Sequence, residues 1–174
     1  RTIKNEWICE IGAAVARALD YGHSRQILHR DIKPANIFVT QDRHVKLLDF
    51  SIAKSQTSTG RTATGTVFGT VAYMSPEQIL NNELDGRTDL YALGCTLYHM
   101  ATGQPPFSDP NDITVCMKHV NNPVASPYDL NPGLHHPIGE VIMRCLVKNP
   151  KERFAGVGEL AEALTTIQRA GNAD

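Results

Sequence analysis

Four polar side chains whose types could perform phosphate chemistry fall in one short part of the sequence. Asp31, Lys33 and Asn36 lie in a single segment, and Asp49 follows shortly after it. Carboxylate and amide oxygens are the ligands that Mg²⁺ prefers, and an ammonium group neutralises a phosphate. Together these residue types favour phosphoryl transfer. Taken one at a time, each Asp or Asn is explained equally well by local hydrogen bonds in a surface turn.

Two β-prone runs separate these side chains and would bring them together. Ile37–Thr40 and Val45–Leu48 flank a short polar turn, which predicts a hairpin. Because antiparallel strands bring their outer ends together, Asn36 before the first strand and Asp49 after the second are predicted to be neighbours. Pro34 lacks a backbone donor and biases the residue before it toward extended conformations, so the segment before the hairpin is predicted to be a loop.

Apolar residues recur at helical spacing through most of the remaining sequence. Asn5 is predicted to cap the first helix, which ends near Gly22, and Gly103 is predicted to end the second. We expect a single, mainly α domain of the α+β class, a helical bundle with one small β-hairpin. The helices are predicted around residues 8–19, 90–101, 113–120, 138–146 and 160–167.

The composition excludes several classes of partner. The 174 residues are 41% hydrophobic and 20% charged, and 17 Lys and Arg balance 18 Asp and Glu. This balance leaves no basic face for nucleic acid or an anionic membrane, so neither is expected as a partner. The stretch from Leu90 to Ser108 has no charged residue, but its polar residues and the Pro105-Pro106 pair favour a buried core helix over a membrane span.

The four cysteines are scattered along the chain and have no spacing typical of zinc ligands or of a disulfide framework. We expect them to be reduced thiols of the core, which favours an intracellular protein. The expected location is the cytoplasm, including the cytoplasmic part of a longer, membrane-tethered protein. The cysteines are Cys9, Cys95, Cys116 and Cys145.

Three strings, in this order, resemble the signature set of protein kinases: HRDIKPAN at residues 29–36, DFS at 49–51 and SPEQ at 75–78. The resemblance covers essentially residues 1–174 and corresponds to the C-terminal lobe of a kinase catalytic domain. Lys33, two residues after the Asp, and Thr70 resemble the serine/threonine branch. The string SPEQ resembles bacterial members of that branch.

The resemblance implies a role for each polar residue around the hairpin. Asp31 would accept or orient the proton of a substrate Ser or Thr hydroxyl, and Lys33 would steady the transferring phosphate. Thr70 would be a third residue of the catalytic site. Asn36 and Asp49 would hold Mg²⁺ or Mn²⁺ and, with Lys33, bind ATP. Phe38 would lie under the adenine ring, although a strand aromatic is equally explained as ordinary core.

The resemblance also implies a regulatory switch. Residues 49–77 would form an activation segment, which contains a run rich in Ser and Thr. Thr62 and Thr64 would be autophosphorylation sites, and Arg30 would pair with the added phosphate through charge-assisted hydrogen bonds. A second copy of the kinase would then be a partner, because phosphorylation in trans needs two molecules.

Other positions of the resemblance are structural. His29 and Phe50 belong to the signature strings, and Asp89 would hold the backbone of the loop that contains His29. Glu77 and Arg153 would form a buried ion pair. Without the resemblance, Asp89 is an acidic residue of a first helical turn and Arg153 is a solvated charge.

The family also uses a glycine-rich loop, a strand lysine and a helix glutamate to grip ATP, and this sequence contains none of them. The first residue is Arg1 rather than Met, so we expect the ATP-gripping lobe to lie upstream and the chain alone to be inactive. Two alternatives stay open: a non-catalytic docking or regulatory module with the same fold, and a small metal-dependent hydrolase, which would need further carboxylate or His ligands near Asp49.

Overall fold

The computed structural model describes residues 3–49 and 71–171. The expected helical lobe with one antiparallel hairpin is confirmed in these residues. Single turns of 3₁₀ helix lie at Pro34–Asn36, Val71–Tyr73 and Pro150–Glu152. The α-helices are α1 (Asn5–His23), α2 (Pro76–Ile79), α3 (Gly86–Thr102), α4 (Asp112–Asn121), α5 (Pro127–Leu130), α6 (His136–Cys145) and α7 (Val157–Gly171), and the strands are β1 (Ile37–Val39) and β2 (Val45–Leu47).

Helix α3 occupies the centre of the fold. Nearly all of its residues from Thr88 to Ala101 are buried, which explains why apolar residues occur on all its faces. Gly94 lets α6 approach closely, because a Cβ there would lie 2.5 Å from the Cβ of Cys145. The helix ends as predicted at Gly103, whose φ of 84° is a left-handed conformation that glycine adopts without strain. Among the described residues no helix combines the length and the apolar character needed to span a membrane.

Helix α1 packs against both α3 and α7. Gly12 lies between Leu97 of α3 and Leu164 of α7, so the three helices meet along one apolar seam. The prediction that Asn5 caps α1 is wrong, because Lys4 is the N-cap and Asn5 is already helical. The Asn5 amide instead donates to the carbonyl of Gly133, 3.2 Å away, and ties the start of α1 to the loop before α6.

The predicted hairpin is present, with Ile37 opposite Leu47 and Val39 opposite Val45. The half-buried side chains of these four residues pack against the core and attach the hairpin to it. Phe38 faces the opposite side and is 55% exposed, so the interpretation of Phe38 as ordinary core is wrong.

The cysteines are free thiols, as expected. Cys9, Cys95 and Cys145 are buried, whereas Cys116 on α4 is only half-buried and does not belong to the core. Burial raises the pKa of the Cys9 thiol to about 11, which keeps it protonated at neutral pH.

Candidate active site

The Asp31 carboxylate is held between two nitrogen donors. The ammonium Nζ of Lys33 lies 2.9 Å from Oδ2 of Asp31. The Asn36 amide donates to the same oxygen at 3.1 Å and to the Asp31 carbonyl at 2.7 Å. The fold therefore brings these three residues together and fixes the carboxylate that the sequence singled out.

The end of the hairpin brings Asn36 close to Asp49 along the backbone. The Leu48 amide donates to the Asn36 carbonyl at 2.8 Å, which extends the ladder by one bond, and Asp49 is the next residue. Asp49 is exposed and has a φ of 57°, a left-handed conformation that Asp tolerates better than most residues. The backbone therefore brings Asn36 and Asp49 to the same end of the hairpin, whereas their joint binding of a metal ion stays a prediction.

The donor set at this edge suits Mg²⁺ bound together with phosphate. Nδ2 of Asn36 is engaged by Asp31, so a cation would be held through the amide oxygen of Asn36 and the carboxylate of Asp49. Mg²⁺ usually takes only one or two protein ligands and completes its shell with water and phosphate oxygens. Among residues 3–49 and 71–171, no three His, Cys, Asp or Glu side chains group as an all-protein metal site.

Asp89, at the start of α3, anchors the backbone just before Asp31. Its side chain is fully buried, and its two carboxylate oxygens accept hydrogen bonds from the amides of His29 at 2.9 Å and Arg30 at 2.7 Å. Arg30 has a φ of 64°. A left-handed conformation costs a residue with a Cβ roughly 1–2 kcal/mol, so the fold must hold it in place.

His29 connects this loop to the end of the hairpin. Its ring is fully buried, Nδ1 lies 3.3 Å from the Asp31 amide nitrogen, and Nε2 lies 2.9 Å from the Leu48 carbonyl. Because the amide can only donate and the carbonyl can only accept, the ring is the neutral tautomer with its proton on Nε2. His29 thus links the residue before Asp49 to the backbone of Asp31.

Two residues that sequence reasoning missed support the same loop. His23, in the last turn of α1, places Nε2 2.7 Å from Oδ2 of Asp89. The Gln78 amide of α2 donates to the Arg30 carbonyl at 3.1 Å. Only the position of Gln78 in the SPEQ string pointed toward this site, and nothing in the spacing of His23 did so.

Glu77 and Arg153 form a buried, two-pronged ion pair between α2 and the turn before α7. The guanidinium nitrogens lie 2.7 and 3.0 Å from the two Glu77 carboxylate oxygens. Burial alone raises the pKa of the Glu77 carboxyl, but the hydrogen bonds and charge of Arg153 outweigh it and hold that pKa below its ordinary value. The other three guanidinium hydrogens are donated to the carbonyls of Arg87, Val147 and Lys148.

The remaining predicted site residues are not joined to this cluster by any described contact. Phe38 lies exposed on the outer face of the hairpin, paired in register with Lys46. Predictions for Phe50, Thr62, Thr64 and Thr70 concern positions outside the described residues.

Comparison with known proteins agrees with this geometry. The sequence profile of the protein kinase domain matches residues 1–166, and the chain belongs to that family. It is 44% identical over 162 residues to serine/threonine-protein kinase PknF of Mycobacterium tuberculosis, an alignment that covers 90% of this chain and 34% of PknF. It is 37% identical over 160 residues to serine/threonine-protein kinase PknB of the same species, covering 91% of this chain and 26% of PknB. The chain therefore spans between a quarter and about a third of these relatives.

Proposed function

We propose that this chain is the C-terminal, catalytic lobe of a serine/threonine protein kinase, which transfers the γ-phosphate of ATP to Ser and Thr hydroxyls. The observation that carries the proposal is the Asp31 carboxylate, which is fixed by Lys33 and Asn36 in a chain of the protein kinase family. An ATP-gripping lobe that is not contained in this sequence would complete the enzyme. We call that enzyme the two-lobed protein.

The residues around Asp31 divide the work of phosphoryl transfer. The substrate hydroxyl would donate its hydrogen to the Asp31 carboxylate, which orients the oxygen for attack and takes the proton as the new O–P bond forms. The bond between the γ-phosphorus and its bridging oxygen would break at the same time, and ADP would leave with that oxygen. The Lys33 ammonium places a positive charge beside the transferring phosphate. ATP bound with Mg²⁺ supplies the phosphoryl group, and Asn36 and Asp49 are the residues that would hold the cation.

The serine/threonine specificity is supported by Lys33, two residues after Asp31, and by PknF and PknB, which are both named serine/threonine-protein kinases. The test is to incubate the two-lobed protein with ATP, Mg²⁺ and matched peptides that differ only in a Ser, Thr or Tyr acceptor. We expect phosphate on the Ser and Thr peptides and none on the Tyr peptide. ADP and free phosphate without peptide labelling would instead indicate the hydrolase, and no ATP turnover would indicate the docking module.

Regulation by phosphorylation of the chain itself belongs to the same proposal. Thr62 and Thr64 lie in the Ser- and Thr-rich run between Asp49 and Glu77, and a second copy of the protein would phosphorylate them. Mass spectrometry after incubation with ATP is expected to find phosphate between residues 55 and 70, and its absence there would contradict this part. We also propose a cytoplasmic location, because the four cysteines are free thiols and the reaction needs ATP.

A further inference from the structure

We propose that Gln78 is a positioning residue that couples helix α2 to the loop of residues 29–33, which we call the catalytic loop. It does so by holding the carbonyl of Arg30. Gln78 forms the capping box of α2 with Ser75, and the amide nitrogen of its side chain also donates to the loop before Asp31. The kinetic consequence rests on the function proposed above, whereas the structural coupling can be tested without it.

The orientation of the Gln78 amide is fixed by its partners. Oε1 accepts from the Ser75 amide at 3.1 Å and from the Ser75 hydroxyl at 3.2 Å. Nε2 donates to the Arg30 carbonyl at 3.1 Å. Because an amide nitrogen and a carbonyl oxygen have only one way to satisfy these partners, the two ends of the side chain have separate tasks.

Arg30 is consequently held at both its backbone polar groups. Its amide donates to Asp89 of α3, and its carbonyl accepts from Gln78 of α2. The residue between these two bonds has a φ of 64°, and the peptide bond that follows leads directly into Asp31. Two helices therefore clamp the strained residue whose backbone sets the direction of Asp31.

The clamp also connects Asp31 to the Glu77 anchor. Gln78 follows Glu77, whose carboxylate is held by Arg153. Because both residues belong to α2, a shift of this helix would move the Glu77 ion pair and the Gln78 side-chain amide that holds Arg30 together. Glu77 is the last residue of the proposed activation segment, so that segment ends directly before the side chain that holds Arg30.

The alternative is that Gln78 serves only to cap α2, and Gln78→Glu separates the two roles. A glutamate keeps the acceptor that faces Ser75 and replaces the donor that faces Arg30 with a carboxylate oxygen. We expect amide hydrogen exchange of the 174-residue chain at pH 7.5 to show about three- to tenfold lower protection at residues 29–31, the effect of one lost hydrogen bond. Protection of α2 should be unchanged.

Ser75→Ala is the matched control, because it removes the capping hydroxyl and leaves the bond from Gln78 to Arg30 in place. It should lower protection in α2 and not at residues 29–31. An equal loss of exchange protection at residues 29–31 in both variants would overturn the proposal. No loss of protection there in Gln78→Glu would overturn it as well.

A pH rescue gives a signature that a simple capping role would not produce. Protonation of the carboxyl introduced by Gln78→Glu restores a donor toward Arg30. Because this carboxyl would face the Arg30 carbonyl, its pKa should lie above the ordinary Glu value of about 4.3, so protection at residues 29–31 should return toward wild type as the pH falls to about 5. The nearby titratable groups on α1, α3 and the loop are His23, Asp89, His29, Asp31 and Arg30. They are the same in both proteins, so the ratio of variant to wild type cancels their effect.

In the two-lobed protein, Gln78→Glu is expected to lower kcat about tenfold at pH 7.5 and to leave the KM values for ATP and peptide unchanged. Wild-type kcat in the variant would overturn the kinetic part. If the wild type shows no phosphotransfer, the proposed function fails, while the exchange measurement still decides whether Gln78 holds the loop.

Discussion

The Asp31 carboxylate and the backbone that precedes it are held in place by four neighbouring side chains. Lys33 and Asn36 hold Oδ2, while the backbone before it is fixed by Asp89 and Gln78. A carboxylate that is positioned in advance loses little freedom when a substrate hydroxyl arrives, which is where such groups contribute to rate. In the proposed mechanism, this support would keep the Asp31 carboxylate ready for the substrate hydroxyl.

Lys33 is predicted to matter for rate far more than for stability. Lys33→Met removes the ammonium beside Asp31, and kcat of the two-lobed protein should fall about 100-fold or more, the usual effect of losing one stabilising charge. The free energy of unfolding should change by about 1 kcal/mol or less, because both partners are partly exposed.

Lys118→Met is the control for this prediction, since the Lys118–Asp109 pair has a similar distance of 3.0 Å and similar exposure. The control should retain full kcat. Equal rates for the two variants in a steady-state assay would contradict the role of Lys33.

His119 is predicted to make the fold sensitive to acid. The ring is fully buried with Nδ1 2.9 Å from the Tyr91 hydroxyl, and burial, aided by the charge of Lys148, lowers its pKa from 6.5 to about 4. Between pH 6.5 and about 4, His119 therefore binds a proton in the unfolded chain but not in the folded chain. Stability is full above pH 6.5 and declines as the pH falls toward 4.

Between pH 7 and pH 5 this histidine should cost the fold about 2 kcal/mol. Denaturant unfolding at both pH values tests this, with His119→Gln expected to lose that share of the pH dependence. The exposed His44→Gln serves as the control and should keep the wild-type dependence. The same slope in all three proteins would exclude His119 as the cause.

At the scale of the element, the short helix α2 connects the site to the core. It has only four residues, yet it contains a capping box, the Gln78 bond to the catalytic loop and the Glu77 pair with Arg153. A helix this short has no stability of its own, so tertiary contacts must hold it. The ion pair and the clamp are those contacts.

Arg153→Ala is predicted to destabilise the fold by about 3–5 kcal/mol, because it leaves the Glu77 carboxylate buried without its partner. Arg43→Ala, which breaks an exposed pair with Glu10, should destabilise the fold far less, because solvent screens surface ion pairs. Denaturant unfolding of both variants measures the difference. A loss for Arg153→Ala no larger than that for Arg43→Ala would show that the pair does not hold α2.

The elements that were predictable from the sequence are those with a strong repeat. The apolar spacing of α1, α3, α4, α6 and α7 and the β-branched runs of the hairpin indicate these elements without further information. The helices α2 and α5 are too short to show a period, and their starts depend on Ser caps followed by Pro. Asn5 shows the opposite error, because a good capping residue is used for a tertiary hydrogen bond instead.

The whole molecule is organised around α3. Asp89 at its first turn holds the catalytic loop, the Arg87 carbonyl accepts from Arg153, and Gly94 lets α6 pack closely. Helix α3 thus contacts the loop before Asp31, the Glu77–Arg153 pair and α6 within one close-packed core. Through Asp89, this central helix holds the backbone that leads into Asp31.

The backbone proximity of Asn36 and Asp49 could be predicted, because the two residues flank the strands of one hairpin. His23 and Gln78 could not, because their partners lie across the fold, at Asp89 and Arg30. Arg153 was assigned to a buried pair only through the resemblance to kinases, since its own sequence surroundings indicate a solvated charge. Polar contacts between residues that are far apart in the sequence can therefore be identified only from the fold or from a resemblance to a known family.

The most direct test of the phosphotransfer centre is the rate of peptide phosphorylation by the two-lobed protein with Asp31→Asn, measured beside Asp109→Asn. Asp109 carries the matched lysine pair on the surface. We expect Asp31→Asn to reduce kcat by at least about 1,000-fold with unchanged folding stability, and Asp109→Asn to keep the wild-type rate. Wild-type phosphorylation by Asp31→Asn would contradict the assignment of this cluster as the catalytic centre.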